Sequence, residues 1–399
     1  MRRLFASKKG ISDEYLNVAM LVVVALAVIS ITLCIFVIGR SVPPDAPEDS
    51  DPVEDFPTSE NTEPSVESPE DSTAITDEPE SDTVGEIETE TETETETDTE
   101  PSAETEKPTE PPTESETEPP APPMPDSFVP VTPNNVAVIS ADAIYSDHAI
   151  LVDCSTNTVL AQRLADYRIY PASMTKIMTI IVACEQIKDL DARLTIPAAI
   201  ITQCRAEGAS VAGFTAGQSV SARDMLYGAA LPSGADATFG LAMLVTGKTD
   251  IFEAEAEFAK LMNQKAKELG MTKTTFVNAS GLHNDNHAST VRDIATMMNY
   301  AMRVPLVKQI LSTVQYTTSY GKTLTSSVFS KTSYVHQTYS NGVTMVAGKS
   351  GFTYHAMYCL ASYHETKSGK GYVLVTALSY QNSYQPISDA KYIVEKYIK

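Results

Sequence analysis

In the C-terminal two thirds of the chain, the spacing of apolar residues is typical of strands at both ends and of helices in the middle. Short alternating or continuous apolar runs at 149–153 and 159–162 flank a polar pentapeptide, which predicts a β-hairpin. Similar runs at 344–347, 357–363 and 372–378 predict three strands near the C-terminus. The two ends of this region are therefore expected to contribute strands to one sheet.

The middle of the same region has helical periodicity. Helices are predicted directly after Pro171 (174–187), from Ala222 to before Pro232, and over 252–269, 290–304 and about 388–397. Strands at both ends that enclose a mainly helical middle indicate an α+β domain, in which helices flank an antiparallel sheet.

The N-terminal region has a different pattern, with an apolar run of 21 residues at 18–38 that contains no charge. A helix of that length can cross the roughly 30 Å hydrocarbon core of a bilayer. Arg2, Arg3, Lys8 and Lys9 precede it, so residues 1–17 are expected to be a cytoplasmic tail and the rest of the chain extracytoplasmic. A cleaved signal peptide is the alternative; the length of the run favours a single-pass membrane anchor.

Composition then separates a linker from a globular domain. Residues 41–128 contain 30 Asp and Glu residues and one Lys, so their charge of −29 exceeds the −23 of the whole chain. Such a segment cannot bury enough apolar surface to order itself, which predicts a disordered linker over 39–134. The domain at 135–399 is close to charge balance and has no nucleic-acid signature. Its scattered cysteines indicate free thiols.

A Ser-x-x-Lys sequence, Ser173 to Lys176, lies at the start of the first predicted helix. The spacing puts a hydroxyl nucleophile and an amine base on one helical face. Lysine acts as a base near neutral pH only where burial or another cation lowers its pKa. A second copy, Ser319 to Lys322, lies in a polar run with an internal glycine, so it is not expected to form a helix.

Two later segments offer what a lysine base requires, a second hydroxyl and a second cation. Ser233 follows a predicted helix end, and Lys349 lies in a predicted strand before Ser350 and Gly351. The three motifs in this order resemble those of the serine penicillin-recognising enzymes. Stretches outside the motifs, 217–228, 261–271 and 276–293, extend the resemblance to the D-alanyl-D-alanine carboxypeptidases, low-molecular-mass penicillin-binding proteins with a β-lactamase/transpeptidase-like fold.

The resemblance implies a role for each matching residue. Ser173 would attack the bond between two D-alanines of a peptidoglycan stem peptide, Lys176 would accept its proton, and Ser233 would relay protons. Lys349 and Ser350 would bind the terminal carboxylate. The backbone N–H groups of Ser173 and Phe352, the residue after Gly351, would form the oxyanion hole. No metal or cofactor is implied, and β-lactams would be covalent inhibitors.

The chain departs from the family pattern at two positions. Ser350 replaces the usual threonine and keeps the hydroxyl, whereas Ala235 replaces the usual asparagine, which would weaken turnover. We expect acylation to survive because both serines and both lysines remain. The C-terminal β-rich domain and amphipathic helix that often occur in the family are not expected here.

Three alternatives remain from the sequence. The segment from His283 to His287 has alternating metal-type ligands, which could form a zinc site. Glu253, Glu255 and Glu257 could supply the water-activating carboxylate of a class A β-lactamase, although an acidic helix face is more often solvated. Ala235 and the linker could instead indicate a catalytically weak wall-binding protein.

Overall fold

The computed structural model describes residues 127–333 and 335–399. The described region is an α+β fold, as predicted. Its strands are β1 (Ala137–Val138), β2 (Ser146–Asp153), β3 (Thr158–Arg163), β4 (Arg193–Thr195), β5 (Ser219–Ser221), β6 (Gln315–Thr317), β7 (Thr323–Thr325), β8 (Gln337–Thr338), β9 (Thr344–Thr353), β10 (Met357–Glu365) and β11 (Gly371–Ser379).

The helices fill the middle of the chain and its C-terminal end. They are α1 (Lys176–Gln186), α2 (Ala198–Ala206), α3 (Ala222–Ala230), α4 (Ala235–Thr246), α5 (Ile251–Glu268), α6 (Val291–Ala301), α7 (Pro305–Ser312) and α8 (Gln385–Tyr397). Short 3-10 turns lie at Ala141–Ala143, at Ala172–Thr175 directly before α1, and at Phe329–Thr332.

One sheet joins the two ends of the domain in the order β1-β3-β2-β11-β10-β9-β8. The predicted N-terminal hairpin is confirmed, because β2 and β3 pair antiparallel with Leu151 opposite Ala161. The predicted C-terminal strands are also confirmed, and β11 pairs with β2 so that the termini meet at the centre of the sheet. All of these ladders are antiparallel, whereas the short β1 pairs with β3 in parallel.

Apolar side chains cover both faces of the sheet. Successive residues of a strand point to opposite faces, so one strand contributes to two cores. Ile150 and Val152 of β2 belong to the larger core, which the central helices fill. Leu151 faces the smaller core together with Leu374 and the apolar side of α8. Helix α1 lies in the larger core, packed against α3, α4, α5, α6 and α7. Its apolar residues are buried all round, as expected of a helix inside a core.

Helix boundaries follow capping chemistry and proline. The side chains of Ser221, Asp250 and Thr290 accept hydrogen bonds from the free N–H groups that begin α3, α5 and α6. The helix predicted over 290–304 ends at Ala301, and Pro305 starts α7, since proline suits a first helical position. Helices α2, α4 and α7 were not predicted. Helix α4 is almost uniformly apolar and contains a glycine, so it has little periodic signal.

The predicted cytoplasmic tail, membrane helix and linker up to residue 126 lie outside the described residues. Residues 127–134, the end of the expected linker, contact the domain: Phe128 is buried, and Val131 forms a β-bridge with Thr158. No helix among residues 127–333 and 335–399 has both the length and the apolar character to cross a bilayer. Four cysteines in this part of the chain are free thiols, and of these only Cys184 is not fully buried.

The buried imidazole of His364 makes stability depend on pH. Its Nε2 lies 2.9 Å from Ser362 Oγ, while Nδ1 has no hydrogen-bond partner among the described residues. Burial lowers the pKa of His364 to about 3. The unfolded chain therefore binds one more proton between about pH 3 and pH 6.5, and stability is lost as the pH falls through that window.

In this window we expect His364→Leu to reduce the slope of the free energy of unfolding against pH by up to about 1.4 kcal/mol per pH unit. Urea denaturation of the full-length protein, followed by far-UV circular dichroism from pH 4 to pH 7, measures it. Ser362→Ala is the control: it removes the hydrogen-bond partner and keeps the titrating group, so the slope should remain. An unchanged slope in His364→Leu would contradict the assignment.

Candidate active site

Ser173 and Lys176 meet at the buried junction of a 3-10 turn and helix α1. Ser173 lies inside the turn Ala172–Thr175, and Lys176 is the first residue of α1. The three-residue spacing brings Lys176 Nζ to 3.1 Å from Ser173 Oγ. Lys176 Nζ also donates to the Ser280 carbonyl oxygen at 2.5 Å. The lysine is 2% exposed. Its amine therefore has little contact with solvent and is held by these two oxygens.

Burial lowers the pKa of Lys176 to about 7. The negative charges of Asp236 and Glu255, together with Cys204, act in the opposite direction. Asp236 is restrained by other partners, because its carboxylate accepts hydrogen bonds from the backbone N–H groups of residues 212, 213 and 214 at 2.7–3.1 Å. The Asp236 carboxylate therefore stabilises the loop at residues 212–214. Desolvation remains the larger effect on Lys176, which favours a neutral amine able to accept a proton.

Ser233 and Lys349 form a second buried hydroxyl–amine pair. Ser233 lies in the loop between α3 and α4, and Lys349 lies on β9. Lys349 Nζ donates to Ser233 Oγ at 2.8 Å and to the Ser350 carbonyl oxygen at 2.9 Å. Ser233 has a φ of 65°, a left-handed conformation that is uncommon outside glycine and recurs at functional sites. Burial, followed by the charges of Lys176 and Lys331, lowers the pKa of Lys349 well below its usual range.

Two glycines allow backbone segments to approach Ser173 closely. Gly281 has a φ of 77°, and a Cβ atom there would overlap the carbonyl oxygen of Ala172. Gly351 on β9 lies against the turn, so that a Cβ atom would come within 3.0 Å of the Ser173 backbone nitrogen. The end of β9 therefore runs directly beside the Ser173 amide, with Phe352 as the next residue.

These elements surround a cavity of about 460 Å³. Six of the seven residues singled out from the sequence line it, and they are Ser173, Lys176, Ser233, Ser350, Gly351 and Phe352. Lys349 is the exception, because it is fully buried behind the wall and contacts Ser233. Ala235 also lines the cavity. Lys331, Ser327 and the loop 208–210 also lie in the wall. They carry no motif, so the sequence did not indicate them.

The histidines of the suggested zinc segment have other contacts. His287 is buried, with Nε2 2.8 Å from Thr175 Oγ1 and Nδ1 accepting from the Val277 N–H at 3.3 Å. Both of its ring nitrogens are therefore occupied by protein groups. The ring of His283 stacks on His355 at 3.6 Å.

Glu253 on α5 is exposed, as expected for a solvated acidic face, whereas Glu255 is not. Glu255 is half-buried, accepts a hydrogen bond from the Ala279 N–H at 3.4 Å, and has a pKa raised to about 7 by burial. It does not line the cavity. The second Ser-x-x-Lys copy also lies elsewhere: Ser319 donates to Asp224, and Lys322 donates to the Ala212 carbonyl oxygen.

A family model for peptidase S11, described as D-alanyl-D-alanine carboxypeptidase, matches residues 135–377. The chain belongs to this family. It is 31% identical over 216 residues to the D-alanyl-D-alanine carboxypeptidase DacF of Bacillus subtilis, a match that covers 54% of this chain and 52% of DacF. It is 30% identical over 238 residues to a D-alanyl-D-alanine endopeptidase of Escherichia coli, covering 58% of this chain and 73% of that protein.

Solved structures of the family have the same fold as this member. The crystal structure of the Streptomyces K15 DD-transpeptidase superposes with a TM-score of 0.57 at 28% identity, covering 64% of this chain and 98% of that one. A D-alanyl-D-alanine carboxypeptidase from Mycobacterium tuberculosis superposes with a TM-score of 0.55 at 24% identity, covering 66% and 94%. The chain spans about half the length of the first curated relative.

Gly281 contacts the turn Ala172–Thr175, so we expect Gly281→Ala to lower stability strongly. The left-handed φ costs about 1–2 kcal/mol for alanine, and the overlap with Ala172 displaces the turn that carries Ser173. We expect the loss of stability to exceed about 3 kcal/mol, together with impaired acylation of Ser173. Urea denaturation and labelling with a fluorescent penicillin measure both.

Gly369→Ala is the matched control, because Gly369 has a φ of 80° with open space around its Cβ position. It should lose only about 1–2 kcal/mol and keep full labelling. Equal effects of the two substitutions would contradict the importance of the close approach.

The pKa of Lys176 predicts the pH dependence of acylation. Since the base must be neutral, the rate of penicillin acylation should rise through about pH 7 and level off above it. Glu255→Gln removes a charge that stabilises the ammonium form, which should move this midpoint to lower pH, on the order of half a unit. Glu253→Gln, an exposed position on the same helix, should leave it in place. If Glu255→Gln left the midpoint unchanged, the proposed electrostatic effect of Glu255 on Lys176 would be contradicted.

Proposed function

We propose that this protein is a serine-type D-Ala-D-Ala carboxypeptidase, which removes the terminal D-alanine from peptidoglycan stem peptides through an acyl-enzyme on Ser173. The observation that carries the proposal is the buried Ser173–Lys176 pair at the cavity, with 3.1 Å between Oγ and Nζ. A hydroxyl beside a desolvated amine is an activated nucleophile without any need for a histidine or a metal.

Acylation uses the groups around Ser173. Lys176 Nζ accepts the hydroxyl proton while Ser173 Oγ attacks the carbonyl carbon of the penultimate D-alanine. The resulting oxyanion is stabilised by the backbone N–H groups of Ser173 and Phe352. In support of this role, Gly351, the residue before Phe352, lies against the turn that carries Ser173. Collapse of the tetrahedral intermediate breaks the C–N bond and forms the ester on Ser173.

Departure of the amine requires a proton, and Ser233 is in a position to relay it. Its Oγ lies beside the cavity and within 2.8 Å of Lys349 Nζ. The proton that Lys176 accepted is passed through the Ser233 hydroxyl to the nitrogen of the leaving D-alanine. Water then attacks the ester with Lys176 again as the base, which releases the shortened peptide and restores the free hydroxyl of Ser173.

Ala235 leaves this machinery in place. It is the first residue of α4, its backbone N–H donates to the Ser210 carbonyl oxygen at 2.7 Å, and its methyl group lines the cavity. An alanine there offers the substrate no amide hydrogen bond, so we propose weaker turnover with acylation retained.

We further propose a location for the enzyme from the N-terminal sequence. The apolar run at 18–38 would anchor it as a single-pass membrane protein with a cytoplasmic N-terminus. The acidic linker would hold the catalytic domain away from the outer face of the membrane, where peptidoglycan is accessible.

Mass spectrometry of the purified full-length protein tests the proposed activity. Incubation with a penicillin should give one covalent adduct on Ser173, and a pentapeptide ending in D-Ala-D-Ala should release D-alanine. Ser173→Ala should abolish the adduct and lower D-alanine release by at least about 10³-fold. Ser319→Ala, in the second Ser-x-x-Lys copy, should retain both. No adduct, or D-alanine release that persists in Ser173→Ala, would reject the proposal.

A further inference from the structure

A buried histidine, His287, lies behind the turn that carries Ser173 and has no part in the reaction proposed above. It is 2% exposed, and it does not line the cavity of about 460 Å³. Burying a polar ring costs free energy unless its nitrogen atoms are hydrogen-bonded. The hydrogen bonds of this ring therefore indicate its role.

The two ring nitrogens of His287 bond to two different segments of the chain. Nδ1 accepts from the Val277 backbone N–H at 3.3 Å. In a neutral imidazole the other nitrogen then carries the proton, so Nε2 donates to Thr175 Oγ1 at 2.8 Å. Burial, followed by the charges of Lys176 on α1 and His283 on the same loop, lowers the pKa of His287 to about 4. Near neutral pH the ring is therefore uncharged, with one fixed tautomer.

The first of these segments carries the nucleophile and the base. Thr175 is the last residue of the turn Ala172–Thr175, which contains Ser173, and it directly precedes Lys176. Its side chain is fully buried. The hydrogen bond to its hydroxyl therefore restrains the stretch of backbone from which both side chains of the reactive pair project.

The second segment, residues 277–281, supplies the other contact of the base. The Ser280 carbonyl oxygen accepts from Lys176 Nζ at 2.5 Å. One helical turn further along α1, Thr179 Oγ1 donates to the Ala279 carbonyl oxygen at 2.6 Å. That bond holds the helix to the segment, and the imidazole adds the side-chain hydrogen bond that holds the turn before the helix.

The imidazole is itself fixed in position. The next residue, Ala288, forms a β-bridge with Thr275, with backbone hydrogen bonds of 2.9 Å and 3.1 Å. The Phe276 ring meets the imidazole edge to face, with 5.7 Å between the ring centroids. A rigid ring that is fixed by its neighbours holds the two segments at one distance.

We propose that His287 is a positioning residue: its ring links the turn Ala172–Thr175 to the segment 277–281, and thereby keeps the Lys176 amine dry and beside the Ser173 hydroxyl. This inference rests on the proposed acyl-enzyme function. Without the link, water reaches the amine, which raises the pKa of Lys176 towards its usual value. The amine also spends less time at hydrogen-bonding distance from the hydroxyl.

The pH dependence of acylation tests the inference in the full-length protein. The rate of labelling by a fluorescent penicillin is measured from about pH 5 to pH 9 and divided by the fraction of protein that labels at saturation. His287→Asn keeps an acceptor near the Nδ1 position and loses the donor to Thr175. We expect its plateau rate to fall by about 10- to 100-fold, and its midpoint to move to higher pH by on the order of one unit.

Matched variants identify the hydrogen bond that matters. His287→Gln places an amide N–H near the Nε2 position and should keep the midpoint and a rate within about 5-fold of wild type. Thr175→Val removes the acceptor and should reproduce both effects of His287→Asn, whereas Thr175→Ser should show neither. The double variant should lose no more than either single variant. His364→Leu, at a buried histidine outside the cavity wall, should change neither the midpoint nor the rate.

The outcomes separate this inference from the proposed function. An unchanged midpoint in both His287→Asn and Thr175→Val overturns the positioning role, because a loss of folded protein does not move a midpoint. Losses that add in the double variant overturn the link between the two residues. Either result leaves the proposed function standing, whereas a wild-type protein that forms no penicillin adduct overturns both. Circular dichroism checks the fold of each variant, and if one single variant does not fold the other decides.

Discussion

The burial of Lys176 is the constraint on which the rest of the site depends. An ammonium group loses its hydration inside a core, so an unpaired buried lysine shifts towards its neutral form. Among the described residues, the amine contacts a hydroxyl and a carbonyl oxygen, and no carboxylate pairs with it directly. The charge of Asp236 opposes this shift without reversing it, and backbone N–H groups hold its carboxylate in place. Burial therefore favours the neutral amine that the proposed role of Lys176 as a base requires.

This arrangement requires several parts of the chain to meet at one point. Helix α1 supplies Lys176, the preceding turn supplies Ser173, the α3–α4 loop supplies Ser233, and β9 supplies Lys349. Sheet pairing brings β9 to the turn, and glycines permit the backbone contacts there. On β9, Lys349 contacts Ser233, while the neighbouring Ser350 lines the cavity.

Strong local patterns predicted much of the fold. The N-terminal hairpin, α1, α3, α5 and the three long C-terminal strands agree with the sequence because alternation, helical period or proline marks them. Helices α2, α4 and α7 were missed as separate elements since they are short or uniformly apolar. Glu255 was expected on a solvated face, and the loop at Ala279, distant in sequence, covers it instead. A pattern over a few neighbouring residues cannot reveal a contact between residues that are 24 positions apart.

The sequence by itself determined the candidate nucleophile and base, because Ser173 and Lys176 are one helical turn apart and their contact is local. It also indicated Ser233 and Lys349 through the order of their motifs. Tertiary structure alone decided which lysine reaches the cavity: Lys349 lies behind the wall and Lys331 within it. Burial decides this difference, and it depends on how β9 and the Phe329–Thr332 turn pack against residues roughly 100 positions earlier. Spacing along the chain carries no information about that packing.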